Sequence, residues 1–153
     1  MDIADRTAII ETACRMTFYA DRRDFEGLSS CYGKVIRQYD MDGKETGSQT
    51  NEALIAGTRE ILPGYDVLFH LCTNHFVTPV TETRAEVTFN IYCIHVIGDE
   101  QMINLSYATN IMEKEDGTWR IVGHRGEFLK QFGNTKLGER AREIVKARVE
   151  RAA

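Results

Sequence analysis

Apolar residues recur along this chain with two periods, and the change between them near Gly64 separates a mostly helical first part from a strand-rich second part. Ile3, Ile9, Ile10, Ala13, Met16 and Thr17 fall at helical spacing, which predicts a first helix from Ile3 to about Ala20. Asp24 can cap a second helix with Phe25 and Leu28 turned inward, stopping before Gly33. Lys34 to Tyr39 alternates as a strand. Met41 to Ser48 has the Asp-Gly and Gly-Ser content of a hairpin or loop. Thr50 or Asn51 can cap a third helix to about Leu62, which Pro63-Gly64 ends.

Beyond Gly64 the pattern turns to β-branched and aromatic residues in four long runs: Tyr65–Pro79, Thr83–Ile97, Gln101–Glu115 and Thr118–Phe132. Gly98-Asp99 and Asp116-Gly117 mark turns between successive strands. The runs are roughly fourteen residues each, well above the five or six usual for a strand, so they must twist and bend. The expected fold is α+β: a strongly curved antiparallel sheet wrapped around the N-terminal helices, one domain over residues 1–153, with a hollow where helix and sheet diverge. Leu137 to Ala153 reads as an amphipathic helix with Leu137, Ala141, Ile144, Val145 and Val149 on one side, packing on the domain or on a neighbouring subunit.

Composition narrows the function. The 153 residues are 42% hydrophobic and 27% charged, as in ordinary globular proteins, with a net charge of -4 and no basic stripe to neutralise phosphates. No nucleic-acid partner is expected. MDIADRTAII fits neither a signal peptide nor a membrane span, so no membrane association and a cytoplasmic location are expected. Cys14, Cys31, Cys72 and Cys93 stand singly, without zinc spacing, and read as reduced thiols. No GxGxxG, phosphate loop or serine elbow is present, and no cofactor or metal is expected.

Four pieces carry a resemblance over almost the whole chain: Asp21-Arg22-Arg23-Asp24-Phe25, Phe69-His70-Leu71-Cys72-Thr73-Asn74, Tyr107-Ala108-Thr109-Asn110, and the hairpin Glu115-Asp116-Gly117-Thr118-Trp119-Arg120. In order and spacing they resemble the SnoaL-like branch of the nuclear-transport-factor-2-like superfamily. The resemblance implies a cone-shaped, cystatin-like α+β barrel. In the site pieces the chain is similar to scytalone dehydratase, bile-acid 7α-dehydratase and hexachlorocyclohexane dehydrochlorinase, all lyases. By that similarity Asp21 corresponds to a pocket aspartate and His70 to the histidine it pairs with. His95 falls at a second histidine, Tyr39 near a tyrosine that holds a leaving group, and Arg125 near a last-strand arginine. Ala20 departs from the pattern, standing where scytalone dehydratase has a tyrosine.

The chemistry of these residue types agrees with that assignment. An elimination needs a base, help for the leaving group and a pocket that excludes water. Histidine titrates near neutrality, and a carboxylate on one ring nitrogen leaves the other free to act. If His70 points inward, strand alternation turns Leu68 and Cys72 inward as well, with Phe69, Leu71 and His75 facing away. The same alternation groups Phe89, Ile91, Cys93 and His95 as a pocket wall and Ser106, Ala108 and Asn110 as its polar neighbour, with His124 opposite an inward Arg125. The sequence reading is therefore a cofactor-independent, dehydratase-like lyase. Asp21, His70, His95 and Tyr39 would be catalytic, and Asn110, Arg125, Ile91, Cys93 and Cys72 would contact a small cyclic or aromatic substrate. An isomerase or polyketide cyclase, or a non-catalytic partner such as a dioxygenase β-like subunit, are the alternatives. A homo-oligomer is expected, a trimer by analogy with the lyases and a dimer by analogy with other branches.

Overall fold

Side-chain caps set the helix starts in this computed structural model, which describes residues 1–152. Asp2 accepts from the backbone N–H of Asp5 to open helix α1 (Ile3–Arg22), and Asp24 accepts from Gly27 to open α2 (Phe25–Ser30). Arg23, in the left-handed region with φ 58°, turns the chain between them. Thr50 caps α3 (Asn51–Arg59), and a 3-10 turn at Leu62–Gly64 follows it. The strands are β1 (Tyr32–Tyr39), β2 (Glu45–Thr50), β3 (Val67–Pro79), β4 (Arg84–Ile97), β5 (Glu100–Glu115) and β6 (Thr118–Gly133). Helix α4 (Leu137–Ala152) ends the described chain.

The sheet has the order β2-β1-β6-β5-β4-β3 and is mixed, because β1 runs parallel to β6 while every other pair is antiparallel. The expected α+β fold is present, with the four long strands paired antiparallel; it differs from the expectation in that the β1–β6 pair is parallel and the sheet does not close into a barrel. No hairpin joins β1 to β6, so local turn chemistry does not dictate their relative direction. Helix α1 packs against β3 and β6, and β2 and β3 are the edges of an open sheet.

The concave face of the sheet holds two apolar clusters. Ile9 and Ala13 of α1 meet Val87, Phe89, Met112 and Ile121 in the first, and Leu137 and Ala141 of α4 meet Tyr65, Leu68, Ile97 and Met102 in the second. Helix α4 therefore packs on its own chain. Gly64 allows this approach: a Cβ there would stand 2.1 Å from the Ala141 carbonyl oxygen.

Three β-bulges decide which side chains of β3 and β6 enter the concave space, the last at Leu129, between the pairs Ser106–Phe128 and Leu105–Lys130. In β3 the register shifts between Thr73 and Phe76, with Asn74 at φ 57°. In β6 one extra residue separates the pairs Met112–Ile121 and Ile111–Gly123. Each bulge exchanges the faces of the residues beyond it.

Candidate functional site

Asp21 stands at the end of α1 and His70 in the first half of β3, and the aspartate grips the strand at two points. Its Oδ2 accepts from the His70 backbone N–H at 2.9 Å, and its Oδ1 lies 2.5 Å from the His70 ring Nδ1. Both side chains are largely buried, at 15% and 17% exposure for His70 and Asp21. Burial is the largest influence on the His70 pKa and acts downward. Hydrogen bonds to Asp21 and to the cross-strand partner Cys93, with the charges of both, outweigh it and push the pKa up to about 9.

The His95 ring stands edge-on to that of His70, 5.8 Å between centroids, and tilts against Tyr65 at 4.8 Å. Burial, then the positive charge of His70, lower its pKa to about 4, so it is neutral where His70 is charged. His95 Nδ1 is buried without a hydrogen-bond partner in the protein. Cys93, beside His70 in the sheet, borders a hollow of about 460 Å³ on the concave face, walled also by Ile91, Ser106, Ala108 and His124. That volume suits a small cyclic molecule. A groove of about 520 Å³ between Glu60 and α4 is larger, but solvated charged and aliphatic side chains wall it, away from the histidine–aspartate pair.

The family model of the SnoaL-like domain matches residues 1–125. The chain belongs to this SnoaL-like domain family. No curated protein sequence matches it. Among solved structures, this SnoaL-like chain is similar to a type 2 hexachlorocyclohexane dehydrochlorinase (LinA), at 19% identity and a TM-score of 0.74 over 87% of this chain and 90% of that one. It is also similar to a scytalone dehydratase candidate from Novosphingobium aromaticivorans, at 14% identity and a TM-score of 0.71 over 86% and 89%. A protein of unknown function from Mycobacterium tuberculosis aligns over 98% of this chain and 97% of its own at 16% identity, with a TM-score of 0.74. At these identities the similarity is one of fold.

Against the sequence expectations, the SnoaL-like scaffold gathers some candidates and separates others. Asp21, His70 and His95 lie together, and Ile91 and Cys93 line the hollow. Cys72 is inward and contacts Thr17 of α1 at 3.7 Å. Asn110 is fully buried beneath the hollow, bonded to His124 and to Met16 of α1. Tyr39 and Arg125 are corrections. They pair with each other across β1 and β6 and share the opposite, convex face, where Arg125 binds Glu86 at 3.2 Å. The Tyr39 ring packs over Gly123, its Cε2 lying 2.9 Å from where a Cβ would stand.

His124 takes the inward place expected of Arg125. Counting back from the Asp116-Gly117 turn without a bulge pairs Asn110 with Gly123, and the extra residue in β6 moves the pair to Asn110–His124. His75 is inward for the same reason in β3, stacked on Phe89 at 5.2 Å and 3.6 Å from Cys14 Sγ. The sequence signal there was Asn74, a residue type that tolerates the left-handed conformation a bulge can require. In β6 the corresponding signal is Gly123, a glycine within the strand next to the extra residue. Among the described residues, no group of three His, Cys, Asp or Glu side chains is arranged to hold a metal ion, and no helix is long and apolar enough to cross a membrane.

Proposed function

We propose that this SnoaL-like protein is a cofactor-independent lyase that eliminates water, or a comparable leaving group, from a small cyclic, largely apolar molecule held in the concave hollow. His70 removes the proton from carbon as the bond from the neighbouring carbon to the leaving group breaks, Asp21 fixes the ring and its tautomer, and a departing hydroxide, hydrogen-bonded by neutral His95, takes up the proton from His70 and leaves as water. The observation that carries this reading is the two-point grip of Asp21 on His70, whose cross-strand partner Cys93 lines the hollow. The dehydrochlorinase and dehydratase among the structural neighbours agree with it.

The charge state gives the test. His70 is protonated at neutral pH, so proton removal from carbon draws on the small neutral fraction. With turnover followed on a panel of cyclic alcohols, kcat/KM rises about tenfold per pH unit and levels off above pH about 9. His70→Ala and Asp21→Asn each lower it by roughly 10²–10⁴-fold. A profile that falls through pH 9 makes His70 the acid instead, and an unimpaired His70→Ala enzyme removes the dyad from the mechanism.

The convex face favours a role in assembly alongside catalysis. Phe69, Leu71 and Phe132 are each 50% exposed there, more apolar surface than a chain working alone commonly shows. Phe69 and Leu71 on β3 and Phe132 on β6 flank the intervening strands β5 and β4 of one sheet, and we infer that this face joins copies of the chain into a homo-oligomer, a trimer by analogy with the lyases.

A further inference from the structure

We propose that His124, oriented by Asn110, is a second recognition point in the hollow, where its Nε2 accepts a hydrogen bond from a neutral hydroxyl group of the substrate. This rests on the hollow being the substrate site, and it adds a specificity element that the histidine–aspartate dyad does not supply.

The tautomer follows from the partners. Asn110 is fully buried, its side-chain NH2 donates to Met16 Sδ at 3.8 Å, and its Oδ1 lies 3.0 Å from His124 Nδ1. Turning the amide over would leave its oxygen facing a sulfur with no proton to offer, so the oxygen belongs on the histidine side. An amide oxygen only accepts. His124 Nδ1 must therefore carry the proton, and the neutral ring has a bare lone pair on Nε2. Burial lowers the His124 pKa below its ordinary value, which keeps the ring neutral at pH 7.

The lone pair is also presented to a ligand. His124 Nε2 lies 3.4 Å from where a Cβ of Gly126 would stand, and both residues line the hollow, so the absence of a side chain at Gly126 leaves the ring edge uncovered. Asn104 and Gln131, polar residues on the same wall, are hydrogen-bonded to each other at 2.7 Å. A carboxylate has no proton to give and would face an acceptor, so acids are disfavoured and alcohols or phenols favoured.

The test uses 2-naphthol and 2-fluoronaphthalene, which match in shape and differ in the hydroxyl donor, with binding measured by calorimetry. The wild type should prefer the naphthol by roughly tenfold, the effect of one neutral hydrogen bond. His124→Leu should bring the ratio to about one. His124→Gln, whose amide oxygen can still accept, should keep most of it, and so should His70→Ala. An unchanged ratio in His124→Leu overturns the proposal. A ratio that collapses in His70→Ala alone does the same, because it places the hydroxyl at the dyad while leaving the proposed lyase function standing. Nitrogen-15 NMR of the histidine rings reads the tautomer directly, and a proton on His124 Nε2 in the free protein also overturns the assignment. Lack of measurable naphthol binding counts against it as well. Loss of turnover in His70→Ala tests the lyase reading separately.

Discussion

Two histidine rings 5.8 Å apart carry opposite pKa shifts, and the protein's response to pH follows from that pair. His70 is pushed up to about 9 in the folded state, so between its ordinary value of 6.5 and 9 the native form binds more protons than the unfolded chain. Its stabilising effect is fully present below pH 6.5 and is lost as pH rises through 9. His95 is pushed down to about 4, so between 4 and 6.5 the unfolded chain binds more protons and stability falls as pH drops. Burial lowers His75 and His124 as well, and both act in the same direction as His95. Thermal melts should therefore show a maximum near pH 6.5. His70→Gln should flatten the alkaline side and His95→Gln the acid side. A melting temperature that rises steadily from pH 6.5 to 9 in the wild type would contradict the ion pair at Asp21.

At the level of elements, the site depends on irregularities in otherwise regular strands. Asn74 holds the left-handed conformation at which β3 bulges, a cost of roughly 1–2 kcal/mol for most residues that glycine avoids. Asn74→Val should destabilise by about that amount, while Asn74→Gly should melt within a few degrees of wild type. Equal losses in both variants would mean that the Asn side chain, not its backbone, matters. Gly64 plays the corresponding part for α4. Gly64→Ala sets a methyl against the Ala141 carbonyl, which should unseat α4 and open the second apolar cluster. Faster proteolysis within Leu137–Ala152 in a chain that keeps its strand circular dichroism is the expected outcome.

For the whole molecule, the two faces of the sheet serve different ends. The concave face packs α1 in one apolar cluster and α4 in the other, and the hollow is lined by residues of β4, β5 and β6. The convex face carries half-exposed Phe69 and Leu71 on the edge strand β3. Light scattering should find a trimer at micromolar concentration, and Phe69→Asp should give a folded species of lower mass. A wild-type monomer would end the assembly reading and leave the patch for another partner.

Helix starts, the four long strands and the grouping of Ile91, Cys93 and His95 were legible in the sequence, because caps, turn residues and alternation act over a few neighbouring residues. The placement of His70 beside Asp21 was legible only through resemblance, since 49 residues separate them and no local rule spans that distance. Tertiary structure alone decided the parallel β1–β6 pair and the open sheet, which depend on contacts between distant segments. It also decided the exchange of Arg125 for His124 at the hollow. One inserted residue in β6 reverses the side chains from Gly123 to Phe128, until a second extra residue at Leu129 restores the alternation, and the first insertion leaves Ile121 and Val122 both buried against segments distant in sequence, which no local rule reaches.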